Sequence, residues 1–266
     1  MSVQLSIQHL SKCFEPNTPN RRVALDDLSL DVERGEFITI LGSNGAGKST
    51  LFNAILGKFL PDKGRIILDG DDITYWKDYK RAAHIGCLYQ NPQWGTAPNM
   101  TIEENLALAY TRHASKSFFA VNRRDSAYFR ELLATLGLGL ENRMKTPMGM
   151  LSGGQRQAAS LLMATIAKPK LLLLDEHTAA LDPVTSRQVL KITAQIIAQN
   201  NLTALMITHD LHQAVSFGNR TIMLDAGRLV LDIGADERAG MTPRRLADLF
   251  AAKAKHLLSD RSLLSV

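Results

Sequence analysis

Three short stretches carry residue types that can do chemistry on an anion. The first is Gly42-Ser43-Asn44-Gly45-Ala46-Gly47-Lys48-Ser49, followed by Thr50. It reads G-x-x-x-x-G-K-S, the pattern of a phosphate-binding loop. Glycines let the backbone curl with its N–H groups turned inward, and the positive end of a following helix adds to the pull on an anion. In such a loop the lysine reaches the outer phosphates and the serine hydroxyl holds Mg2+. A glycine-rich turn with a solvated lysine has the same composition, so the flanks decide. Phe37-Ile38-Thr39-Ile40-Leu41 suits a buried strand, and Ser49 to Lys58 reads as a helix with Leu51, Ile55 and Phe59 along one face.

The second stretch is Leu171-Leu172-Leu173-Leu174-Asp175 with Glu176 behind it. A continuous apolar run of this length suits a strand covered on both faces, delivering two carboxylates at its C-terminal end, where open α/β sheets bind ligands. Asp175 there supports Mg2+ and Glu176 orients or deprotonates a water. Alone, the pair would fit a solvated turn equally well; the phosphate loop upstream favours the site. The third stretch, Leu151-Ser152-Gly153-Gly154-Gln155, is another glycine-rich helix start with Ser152 as its cap, hence a second anion site. Its glycines alone do not separate it from an ordinary capped helix.

The elements that position these stretches can be read in order. Residues 2–10 alternate as a half-buried strand, and Leu28, Leu30 and Val32 mark a second one after the loop Glu15 to Asn20. Gly64 to Gly70 and His84 to Gln90 read as further strands. Helices are expected over Ile102 to Ala109 with Thr101 as cap, Arg123 to Leu136, Gln155 to Ala167 and Val184 to Gln199. Ala204 to Thr208 is a strand, and Ala226-Gly227 turns a hairpin between Arg220 to Asp225 and Arg228 to Ile233. The tail from Pro243 onward is helical. Of the 266 residues 45% are hydrophobic, enough to fill a core, yet no apolar run approaches the ~20 residues that span a bilayer. Met1 to Leu5 does not open like a signal peptide, and Cys13 and Cys87 have no metal-type spacing, so a reduced, cytosolic chain is expected. The net charge of +5 is scattered, with no basic stripe interleaved with aromatics, so nucleic acid is not an expected partner.

Leu-Ser-Gly-Gly-Gln lying between the phosphate loop and the carboxylate strand resembles the signature of ATP-binding-cassette (ABC) ATPases, and the resemblance runs from about Val3 to Gly234. It implies an α/β fold: a P-loop NTPase core with an antiparallel β subdomain and a helical subdomain inserted over about 92–165, within a nucleotide-binding domain of residues 1–234 and a C-terminal helical extension of 235–266. It also implies roles residue by residue. Phe14 fits the aromatic that stacks on adenine, with a strand-end core residue as the competing account. Gln90 fits the glutamine that contacts Mg2+ and the attacking water. Asp182 fits the acidic residue of the loop before the next helix, which it also caps. His209 fits the histidine that senses the γ-phosphate. His177 stands where the family commonly has proline and is read as solvated rather than as a contact to a neighbouring subunit; His212 is read as a helix-surface residue. Trp94 is open between lining the groove for a membrane partner and filling the helical core.

In the family, ATP and Mg2+ are held by Gly42 to Thr50 of one subunit against Ser152, Gly153, Gly154 and Gln155 of a second subunit. A homodimer is therefore expected, on the cytoplasmic face of the inner membrane, peripheral through a separate transmembrane permease and served by an extracytoplasmic substrate-binding protein. A chain of this size with one set of motifs is similar to bacterial importer subunits more than to fused exporters. The wording of residues 95–101 and 175–183 is similar to uptake systems some of which are assigned to amino acids such as tryptophan. A soluble cassette ATPase working in assembly, such as iron–sulfur cluster maturation, is the alternative class.

Overall fold

The protein is described by a computed structural model covering residues 2–111 and 123–263. In chain order the strands are β1 (Val3–Phe14), β2 (Arg22–Glu33), β3 (Phe37–Leu41), β4 (Lys63–Leu68), β5 (Asp71–Asp72), β6 (Ile85–Leu88), β7 (Leu171–Asp175), β8 (Ala204–Ile207), β9 (Arg220–Asp225) and β10 (Arg228–Ile233). The α-helices are α1 (Lys48–Leu56), α2 (Asp78–Ala82), α3 (Ile102–Tyr110), α4 (Arg123–Ala134), α5 (Gly153–Thr165), α6 (Pro183–Gln199), α7 (Leu211–Ser216), α8 (Ala235–Arg238) and α9 (Pro243–Leu263). Two compact units emerge: one runs to Asp78 and resumes at Thr203, the other extends from Tyr79 to Leu202.

The first unit holds an antiparallel sheet in the order β2-β1-β4-β5 and a second arrangement in which β3 lies between β8 and β9, parallel to both, with β10 antiparallel on β9. β3 and β8 are buried along their whole length, which is why both read as unbroken apolar runs. β1 is longer than strict alternation suggests. His9 and Asp27 sit at register shifts with φ of 52° and 54°, and His9 Nδ1 lies 2.8 Å from Asp27 Oδ1. Each bulge resets which face the next residue points to, so the period-2 pattern ends before the strand does. α1 stops at Leu56 because Gly57 takes the left-handed conformation, with φ 76°, that ends helices. Phe59 is therefore not on the helix face where it was expected. It lies beyond the cap, edge-on to Phe14 with ring centroids 5.3 Å apart.

The second unit pairs β6 parallel to β7 and packs α5 against β6 and against α6. Leu171 to Leu174 are each 0% exposed. At about 1.5–3 kcal/mol per buried leucine, such a run holds a strand whose last residue is a carboxylate. α3 starts where Thr101 accepts the Glu104 amide and Glu104 answers the Thr101 amide at 2.7 Å, a complete capping box. The reading of His177 as solvated is overturned: it is 3% exposed, and Nε2 lies 3.3 Å from Thr193 Oγ1 on α6. Because the Thr193 hydroxyl donates to the Val189 carbonyl at 2.8 Å, it is the imidazole N–H that donates to Thr193. His212, by contrast, is exposed on α7 as expected.

Burial lowers the His177 pKa from 6.5 to about 4. Between those values the unfolded chain binds a proton that the folded chain refuses. Stability is therefore full above 6.5 and falls as pH drops towards 4, by up to roughly 3 kcal/mol. Urea unfolding followed from neutral to mildly acidic pH should show this loss, and His177→Leu should flatten it. Equal pH slopes in the two proteins would contradict a neutral, buried imidazole.

Candidate functional site

Each unit carries part of the predicted set. In the first, β3 delivers the chain into the loop Gly42 to Gly47, and α1 takes it away. Gly47 has φ 104°, and a Cβ built on it would stand 2.6 Å from the Ala24 carbonyl oxygen. Only glycine meets both demands. The Lys48 side chain turns back into this loop. It is 7% exposed, and Nζ donates to the Gly42 and Ser43 carbonyls at 2.7 and 2.9 Å. Ser43, Asn44, Gly45 and Ser49 are exposed, while Ala46 and Gly47 are buried. No side chain caps α1 at Gly47, so the positive end of the helix is left to whatever the loop binds. The arrangement is an anion cradle with an ammonium at its base.

Phe14 ends β1 and is 38% exposed, which favours a surface that can stack on a base over a core residue. Phe59 meets its edge, and Lys12 Nζ lies 5.6 Å from its centroid, held by the Leu60 carbonyl and by Asp62 at 3.0 and 2.8 Å. The Lys12 hydrogen bond, with one from the Cys13 amide, holds the Asp62 carboxyl below its usual range. Arg22 does not figure in the sequence reading. It is the register partner of Phe14, and its Nη2 lies 3.3 Å from where a Cβ on Gly45 would stand. The Arg21-Arg22 pair opening β2 was the available signal, but only the strand pairing brings it to the loop. His209 follows β8 and is exposed, between Thr208 and Asp210, which both bond to α7.

In the second unit Gln90 is exposed just past β6. The neighbouring Tyr89 carbonyl accepts from buried Gln157 at 3.4 Å, and Asn91 caps the short turn Pro92–Gly95 through the Gln93 amide. Trp94 on that turn is 75% exposed and meets Tyr89 edge-on at 6.2 Å, so it is not a core residue. Ser152 caps α5: its hydroxyl oxygen accepts the Gln155 amide, and Gln155 Oε1 accepts the Ser152 amide, both at 3.3 Å. Accepting leaves the hydroxyl proton for an anion. Ser152 and Gly153 are exposed and Gly154 is buried. A Cβ on Gly154 would lie 2.1 Å from Thr185 Cγ2, so α5 can approach α6 only with glycine there. Arg156 steadies the preceding turn by donating to the Met148, Gly149 and Leu151 carbonyls at 3.2, 2.8 and 3.1 Å.

Asp175 and Glu176 are half-buried at the end of β7. Glu176 has φ 43°, a left-handed backbone that a glutamate adopts only when its surroundings impose it. The Ala179 amide on its carbonyl at 2.9 Å and the buried His177 next to it supply that constraint. Asp182 accepts the Val184 and Thr185 amides, both at 3.1 Å, and starts α6. Hydrogen bonds from Thr185, side chain and backbone, hold its carboxyl below the usual range. Among the described residues no cluster of three or more His, Cys, Asp or Glu has the geometry of a metal site.

Comparison with known proteins agrees with this chemistry. The ABC transporter family model matches residues 25–179. The chain is 42% identical over 251 residues to the tyrosine transport ATP-binding protein of Clostridioides difficile (strain R20291), covering 92% of this chain and 98% of that protein. It is 34% identical to the phosphonates import ATP-binding protein PhnC 2 of Nostoc sp., covering 81% of this chain and 87% of that one. A dimeric ATP-binding cassette solved in a post-hydrolysis state with ADP and Pi superimposes with a TM-score of 0.74 at 26% identity, over 87% of this chain and 98% of that one. With a cradle for phosphate, a second glycine-rich helix start and paired carboxylates at a strand end, the chain belongs to the ABC transporter family as an ATP-binding subunit that hydrolyses ATP.

Proposed function

We propose that this subunit powers an importer, with an amino acid, aromatic in kind, as the cargo of a separate membrane permease. The observation that carries the reading is the similarity over nearly the full length of both chains to a tyrosine transport ATP-binding protein. Similarity to a phosphonates import subunit supports the direction of transport. No helix among the described residues is long and apolar enough to cross a membrane; the reading gives the path for cargo to a separate permease.

In this reading two copies face head to tail, each binding ATP through Gly42 to Thr50 and closing on it with Ser152 to Gln155 of the other. Phe14 stacks on adenine. Lys48 exchanges its loop carbonyls for phosphate oxygens. Ser49, Gln90 and Asp175 supply oxygens for Mg2+, which screens phosphate charge when bound. Glu176 accepts a proton from the water that attacks the γ-phosphate, His209 donates to that phosphate, and the bond to ADP breaks. Asp182 sits in the loop that contacts the second subunit. The exposed Trp94 lines the groove that receives the permease. Closure is favoured only because ATP binds the closed pair better than the open one.

The reading predicts that Glu176→Gln lowers ATP turnover at least about a hundredfold while ATP still binds, since it removes a general base and little else. Turnover within a few-fold of the parent would remove Glu176 from that role. Phe14→Ala should weaken ATP binding by roughly 1–3 kcal/mol, the worth of a base–aromatic stack, with turnover at saturating ATP little changed. Unaltered affinity, measured by equilibrium binding, would return Phe14 to a structural part. For the cargo, cells deleted for this chain should lose high-affinity uptake of labelled tyrosine or tryptophan; undiminished uptake of both would exclude an aromatic amino acid.

A further inference from the structure

The helix after His209 is held at both ends. At its start Asp210 Oδ1 accepts the His212 and Gln213 amides at 2.8 and 3.4 Å, while the Thr208 hydroxyl donates to Gln213 Oε1 at 2.9 Å. Both neighbours of His209 are thus engaged in fixing α7. At the far end, carbonyls converge on one guanidinium contributed by α8. Arg238 Nη2 donates to Ala214, Val215 and Phe217 at 2.5, 2.8 and 2.6 Å, and Nη1 donates to Gly218. The hydroxyls of Thr39 on β3 and Thr221 on β9, 2.8 Å from each other, lie 3.2 and 3.3 Å from the same Ala214 carbonyl, so one donates to it and the other to its neighbour. The C-terminal carbonyls of a helix carry the negative end of its dipole, and a planar fork of donors is the side chain that satisfies several of them at once. The fit is bought at the cost of Arg238 Nε, buried without a hydrogen-bond partner.

We propose that Arg238 is a positioning residue for His209: the segment after β10 fixes α7 through this clamp, and α7 fixes the loop that presents the histidine. The inference rests on the reading of His209 as the γ-phosphate contact. Its physical basis is length. α7 has six residues, and helices far shorter than about a dozen do not persist without tertiary support. Apolar contacts supply part of that support, since Leu211 and Val215 pack in the cluster that holds Met241, Leu246, Leu249 and Phe250. Such contacts are non-directional. The clamp is what sets how the helix is turned, and with it the end-point of the loop at His209.

The test is a double-mutant cycle on the purified full chain, with thermal melts as a folding control. Arg238→Met should lower turnover at saturating ATP about tenfold, as a small misplacement of a catalytic group does, with the KM for ATP within about twofold of the parent. Arg238→Lys, which keeps the charge but not the fork, should recover part of the loss, and it carries the same test should the methionine variant not fold. His209→Ala should be impaired more deeply, and adding Arg238→Met to it should change nothing further, because the two act through one group. Parent-like turnover in Arg238→Met beside an impaired His209→Ala overturns the inference alone, as does a double variant slower by the product of the single effects. Parent-like turnover in His209→Ala overturns the reading of His209 and this inference with it.

Discussion

The first unit is arranged around a charge taken out of water. An ammonium buried as deeply as that of Lys48 costs several kcal/mol unless it is hydrogen-bonded. It donates to two carbonyls of its own loop, those of Gly42 and Ser43. That requirement dictates the rest of the loop. Two carbonyls must turn to one point within a few residues, which forces the glycines into backbone conformations that other residues avoid. The ends of so tight a loop must be fixed, and they are: by β3, buried throughout, on one side, and by the first turn of α1 on the other. A phosphate oxygen bearing formal charge is a stronger partner for an ammonium than a carbonyl dipole. In the proposed reading, binding energy at this loop comes from exchanging one set of partners for the other, with the geometry already built.

The second unit solves a related problem with carboxylates. Leu171 to Leu174 anchor β7 in the core, so Asp175 and Glu176 emerge at a fixed point. The left-handed backbone at Glu176 costs of order 1–3 kcal/mol. It persists because the residues around it leave no alternative. His177 is sealed beneath the turn and tied to α6, the Ala179 amide closes on the Glu176 carbonyl, and Asp182 fixes the far end of the segment as a helix cap. The imidazole of His177 stiffens this turn through burial and one hydrogen bond to α6.

What could be read from the sequence divides along the range of the interaction responsible. β3, β7 and β8 were legible because an unbroken apolar run has few places to go but a covered strand. The caps at Thr101, Ser152 and Asp182 were legible because each acts within three residues of itself. Errors came where the deciding partner is distant or the backbone leaves its usual region. Hydrophobic spacing carries Phe59 onto α1, but Gly57 ends the helix, a stop that spacing does not record. His177 was read as solvated because its neighbours are two carboxylates and a threonine; the residue that makes a buried imidazole tenable, Thr193, lies sixteen positions on. Arg22 went unnoticed beside the phosphate loop because only the pairing of β1 with β2 brings it there. The candidate site was nonetheless the more legible part, since phosphate chemistry needs backbone and side chains in fixed order along the chain, whereas a core accepts many orders.

The two glycine-rich helix starts are unequal, and the inequality bears on how they would share a nucleotide. α1 begins without a side-chain cap, behind a loop that already holds an ammonium. α5 begins with a complete capping box, in which Ser152 and Gln155 satisfy each other's amides. A start that satisfies its own donors has less to offer an anion. In the proposed reading the loop at α1 takes the triphosphate first, while Ser152 and the exposed Gly153 add a weaker contact once an anion has been brought to them. A weak second contact is what a reversible closure requires. Were both starts equally strong, two copies gripping one triphosphate would separate too slowly after hydrolysis for repeated turnover. In that reading the capping box at α5 does more than begin a helix: it limits how tightly that helix can hold the anion, and so leaves the proposed closed pair dependent on an intact γ-phosphate.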